Sequence, residues 1–219
     1  MNVLRDSGWR IALIASAVLM VTGAPRHPSS DAKDPMREEL AIMTSHPDWV
    51  PAHLFVMLST MLFAAGLIVA YRKRVWPDVQ PALGIAAVAV AVYVIETGFH
   101  LAAVVDSHAL HHGGATPVAT THIWLSVVLY PLTGLAVSYL GIRQLVVWRG
   151  TRRLLGLPAA VGGLAHAVSV PLTLALPDAE LSPVFAASAM LFATYALVNG
   201  VAGVPRPAVV PAERQPVTV

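Results

Sequence analysis

In the stretch VYVIETGFHLAAVVDSHALHHGG, residues 92–114, Glu96 and His100 stand four apart within an otherwise apolar run. That spacing is about one helical turn, so a carboxylate and an imidazole share one face. Ionisable groups inside a membrane span cost a few kcal/mol each and need a partner in the bundle interior. Neutral imidazole is the commonest metal ligand, and several first-row metals accept a histidine set completed by a carboxylate. Glu96 is also the candidate catalytic group, as a general base beside a metal-bound water.

The other histidines strengthen the pattern. The chain has nine. His53 lies at the start of one apolar segment, His122 about one turn inside another, and His166 within a third. At about 1.5 Å of rise per residue, these and the Glu96–His100 pair fall in the same half of the membrane. Polar neighbours extend each position into a stripe: Tyr93, Glu96 and His100; His122, Ser126 and Tyr130; His166, Ser169 and Thr173; Ser188, Tyr195 and Asn199. Converging stripes would make a polar core open at one end.

The elements that must position these groups are membrane helices. Of 219 residues, 56% are hydrophobic and 12% charged, and mean hydropathy is +0.67. A soluble domain carries about 25% charged residues. Six segments reach the roughly 20 apolar residues a span requires: about 9–24, 51–71, 81–105, 118–142, 154–176 and 182–204. The expected fold is all-α, a six-helix integral membrane bundle forming one domain over 1–204, with a proline-rich disordered tail over 205–219. The first segment resembles a signal peptide, but Pro25 directly after Ala24 makes a poor cleavage site, so the span is expected to be retained. No internal repeat is evident. The absence of cysteine excludes disulfides and thiolate chemistry.

Orientation follows from charge. Eleven of the 14 Lys and Arg residues fall at the termini and in the second–third and fourth–fifth connections. The positive-inside rule then puts both termini in the cytoplasm of a bacterial cell and the polar layer toward the extracytoplasmic side of its cytoplasmic membrane. A net charge of +2, with basic residues beside spans, reads as topology and not as nucleic-acid binding. Trp9 and Trp49 are expected as interface anchors, and Arg10 is expected to snorkel to the interface.

In the long connector 25–50, DPMREELAIMTSH reads as a short helix capped by Asp34, with Pro35 at its first position and Glu38 and Glu39 near its positive end. Met36, Leu40 and Met43 share a face that packs as a connector, rests on the bilayer or lids the bundle. DSHALHHGG, with His108, His111 and His112, is expected to be a solvated loop ended by Gly113 and Gly114.

The order HP…D…EEL…HPDWVPAHL after a short first span resembles a recurring layout of six-span membrane proteins from high-GC, actinobacterial-like bacteria. The resemblance covers the first two spans and their connector and implies a topology without an activity. Glu-x-x-x-His with a further histidine eleven residues on is similar to a copper-binding helix of membrane monooxygenases, which carries Asp where Glu96 stands and has slightly different spacing.

Three readings fit the cluster. In the first, His53, Glu96, His100, His122 and His166 bind a transition metal (Cu, Fe or Zn) or haem b, with redox chemistry on a lipid-soluble or extracytoplasmic substrate, or zinc-dependent hydrolysis. For haem, His53 pairs with His122 or His100 with His166. In the second, Glu96 and His100 serve a proton-coupled transporter. In the third, the histidines are structural, in a membrane subunit without a metal. The first is taken forward. The expected partners are the lipid bilayer and a lipid-soluble small molecule, with an oligomer or larger membrane complex left open.

Overall fold

The structure is a computed structural model, described for residues 2–29, 34–177 and 179–202. The expected tail over 205–219 lies outside these residues, as do Asp31, Lys33, Arg206 and Arg214. Eight α-helices are described: α1 (Asn2–Gly23), α2 (Met36–Ser45), α3 (Trp49–Arg72), α4 (Gln80–Ala102), α5 (Ser107–His112), α6 (Pro117–Val147), α7 (Leu157–Ala175) and α8 (Ser182–Ala202). Six of them, α1, α3, α4, α6, α7 and α8, are long and apolar enough to cross a membrane. No strand occurs among the described residues.

Each long helix packs on the next long helix in chain order, and α8 returns to α1, so the six close into a ring. Val88, Trp124, Leu132 and Val146 face outward and are strongly exposed. An apolar girdle of this kind meets lipid, since a water-facing surface would not keep it. Inside the ring, the two ends differ. The end with the 72–79 and 148–156 connections, called the basic end here, is filled by Trp9, Leu13, Leu67, Trp76, Leu83, Leu140 and Trp148. The opposite end carries α2 and α5 and is called the lid end.

Three helix pairings have clear local causes. Along α6 and α7, Gly134 and Gly163 approach so closely that a Cβ on either would overlap the other helix's backbone, and Gly141 and Gly156 repeat this seven residues on. Small residues let membrane helices meet where hydrophobicity supplies no drive. Ser138 Oγ donates to Ala160 O across the seam at 2.9 Å. At the ring closure, Arg10 donates from Nε to Gly200 O (2.8 Å) and from an Nη to Val201 O (2.9 Å). It therefore caps the C-terminal carbonyls of α8, where the expected snorkelling to lipid headgroups would leave them unpaired.

At the lid end, Arg37 of α2 donates to Leu110 O, Ala109 O and Gly114 O at 3.0, 2.6 and 2.8 Å, tying α2 to the end of α5. Gly113, with φ of 75°, supplies the left-handed residue that ends α5. The start of α2 differs from expectation. Pro35 stands at its N-cap with no side-chain hydrogen bond, and Glu38 and Glu39 donate their amides to Pro35 O. A proline that already orients the first turn leaves Asp34 without a capping role. Both tryptophan anchors are corrected as well. Trp9 is 1% exposed and edge-on to Trp76, while Trp49 is fully buried and donates Nε1–H to Leu101 O. An indole that finds an internal partner has no need of the interface.

Candidate metal centre

Below α2, the ring encloses a cavity of about 630 Å³. Met36, Leu40 and Met43 of α2 line it, so the amphipathic face covers the bundle. His27, just past α1, and His53, His100, His122 and His166, from four helices, also line it.

His53 lies one turn into α3, fixed by its own helix. Its Nδ1 stands 2.7 Å from Trp49 O. A carbonyl only accepts, so the ring proton sits on Nδ1 and Nε2 keeps its lone pair. That Nε2 is buried and has no hydrogen-bond partner. His27, just beyond α1, repeats the device: Nδ1 donates to Pro28 O at 2.7 Å. The His27 residue keeps an exposed edge at the cavity mouth. Its ring nevertheless packs on Trp49, His53 and His100. Desolvation on that packed side pushes the imidazole below its ordinary range, which keeps it neutral and able to ligate.

Glu96 is fully buried on α4. Its Oε1 is 2.9 Å from His122 Nδ1 and 3.8 Å from His100 Nδ1. Glu96 and His122 thus form a close buried carboxylate–imidazole pair whose angles fall outside ordinary hydrogen-bond geometry. His122 is set by the start of α6, where Asp106 Oδ2 accepts from Ala119 N at 2.8 Å. The His100 and His122 rings stack at 4.0 Å, and His53 lies 4.3 Å from His100 between ring centres.

Two ligand groups result. One atom each from His27, His53 and His100 lie within 4.8 Å of one another, and so do atoms of Glu96, His100 and His122. Around a tetrahedral ion bound at about 2.0–2.1 Å, ligand atoms stand roughly 3.4 Å apart. Small side-chain rotations span the difference.

Of the sequence candidates, His53, Glu96, His100 and His122 come together. His166 stands apart, stacked on Tyr130 at 4.3 Å, edge-on to Tyr93, with Nδ1 3.2 Å from Ser188 Oγ. His27 was missed because it belongs to no span. The available signal was its place between Arg26 and Pro28, directly after an apolar segment. His108, His111 and His112 are exposed, as expected of a solvated segment, although they form α5. Searches against protein families, curated proteins and solved structures find no match to this chain, and no relative lends it an activity.

Proposed function

We propose that the protein is a membrane metalloprotein that holds a transition metal through His53, Glu96, His100 and His122, with His27 as a further ligand, at the lid end of the ring. The observation that carries this reading is the gathering of buried ligand atoms that have no well-formed hydrogen bond. Among the described residues, His53 Nε2, His122 Nδ1 and both Glu96 oxygens lack hydrogen bonds. Each such atom costs about 1–3 kcal/mol, and more when charged, unless something binds it. Metal bound at the two ligand groups, one containing His53 and the other Glu96 and His122, would satisfy them.

The cavity supports redox work on a lipid-soluble or extracytoplasmic substrate. Its wall is mostly apolar, with Met20, Phe63, Phe185 and Phe192 beside polar Ser126, Tyr130 and His166. Such a lining suits an apolar body with a polar head. A compact ion fits better than haem b. The imidazoles stand ring against ring, and a porphyrin would need the lateral space they occupy. Zinc-dependent hydrolysis is the second reading, favoured by an all-imidazole group, His27, His53 and His100, with a carboxylate next to it. There Glu96 would serve as general base. The charge bias supports both termini in the cytoplasm of a bacterial cell, with the lid end outside.

Elemental analysis of protein purified in lipid nanodiscs tests the metal. Stoichiometric copper, iron or zinc, reduced in Glu96→Gln and His122→Ala, is expected. Metal-free protein that rebinds none, but whose proton-coupled transport fails in Glu96→Gln, would replace this reading with the carrier. The cysteine-free chain makes sidedness direct. A cysteine at Ala115 should react with an impermeant reagent added outside the cell, and one at Thr151 should not.

A further inference from the structure

The two ligand groups share one residue. We infer that the centre is dinuclear: two copper(I) ions bridged by the His100 imidazole, one held by His27 and His53, the other by Glu96 and His122. This rests on the metal reading above and deepens it to the number and charge of the ions.

The ligands form a row, with no single focus. Ring centres run from His27 to His53 at 4.7 Å, to His100 at 4.3 Å and to His122 at 4.0 Å, and Glu96 closes the row 2.9 Å beyond on His122. Among the described residues the ligand atoms gather in threes, with His100 in both groups. One ion at either focus leaves two ligands of the other group unused. His100 is oriented to serve both, because Nδ1 is the nitrogen facing Glu96. That leaves Nε2, on another edge of the ring, for the group whose two other members have Nδ1 tied to backbone carbonyls.

Charge selects the ions. The row offers one carboxylate and, when His100 bridges, one imidazolate, whose ring proton leaves to solvent as the second ion binds. Two monovalent ions then make a neutral centre. Two divalent ions would leave an uncompensated double positive charge where desolvation is most costly. Imidazole suits copper, and copper is the monovalent member of the first-row set that accepts a three-ligand site.

The test uses the full chain in nanodiscs, with His108, His111 and His112 replaced by alanine to remove surface copper sites. Protein is loaded anaerobically with copper(I) against a competing chelator, and copper per chain is counted. Two equivalents are expected, falling to one in His27→Gln and to one in His122→Gln. His27 lies at the mouth outside the spans, so its variant tests the first group without disturbing the bundle. One equivalent in the parent chain overturns the dinuclear centre and leaves the metal reading standing. None overturns both. Two equivalents retained in His27→Gln overturn the assigned ligands. After oxidation to copper(II), spins coupled through the bridge should give an electron paramagnetic resonance signal well below that of two isolated ions. The full two-spin intensity overturns the bridge.

Discussion

The two ends of the ring solve opposite problems with the same six helices. At the basic end, Leu13, Leu67, Leu83 and Leu140 are fully buried, and Trp9, Trp76 and Trp148 stack edge to edge from three separate stretches of chain. The fully buried polar side chains there are uncharged. Gln144 Nε2 donates to Tyr195 OH at 3.1 Å, and the unpartnered atoms, Gln80 Oε1, Gln144 Oε1 and Trp148 Nε1, belong to neutral side chains. At the lid end, the interior is a cavity, and the buried atoms without hydrogen bonds belong to His53, Glu96, His122 and His166, the first three being members of the two ligand groups. The contrast teaches where stability and function are divided. The basic end is packed by apolar side chains, and the lid end gathers buried titratable groups that packing alone would not select.

If that division is real, the largest effects on folding come from the basic half. Leu140→Ala should lose about 2–5 kcal/mol, the range for a large buried aliphatic residue, read as earlier unfolding in a denaturing detergent titration. Gly163→Leu should be at least as severe, because its side chain has only the backbone of Gly134 and Ser138 to move. Neither change should alter which metal is bound in the protein that does fold.

The lid half should respond with the opposite sign. Glu96→Met removes a buried carboxylate, whose close partners are the His122 and His100 imidazoles, at similar volume. It should stabilise the metal-stripped protein by about 1–3 kcal/mol while lowering metal retention, measured by thermal unfolding and elemental analysis of the same sample. A destabilised Glu96→Met protein would mean that Glu96 is a structural partner of His122 and His100.

Arg10, expected to snorkel to the interface, caps α8, and Arg37 caps α5 at the other end of the ring. Arg10→Ala should cost about 1 kcal/mol through the lost bonds to Gly200 and Val201, visible as loosening between α1 and α8 in hydrogen exchange. The smallest effect is expected at Glu180, which accepts from Ser182 N at 2.9 Å at the start of α8. The Ser182 side chain and amide hold its carboxyl below the usual carboxylate range. Its contribution is therefore present above that range and fades as pH falls through the depressed value. Glu180→Gln should flatten that acid limb slightly and lower neutral-pH stability by the same small amount.

The six spans were legible because length and hydropathy alone decide whether a helix can cross lipid. Glu96, His100, His122 and His53 were legible because a titratable group at depth needs a reason. His27 was not, since a histidine in a connector carries no such penalty and only the fold brings it over His53. Trp9 and Trp49 were misread because an indole beside a span end suits the interface and the interior equally, until its N–H partner is known. The role of α2 stayed open because an amphipathic face does not name what it covers. The closure of α8 on α1 is a tertiary fact without a local signal.

The most direct test of the central claim is X-ray absorption at the edge of whichever metal copurifies with the protein. Imidazole scattering, with nitrogen or oxygen ligands near 2.0 Å and a changed first shell in Glu96→Gln, is the predicted result. A shell of oxygen alone, indifferent to Glu96 and His122, would contradict it.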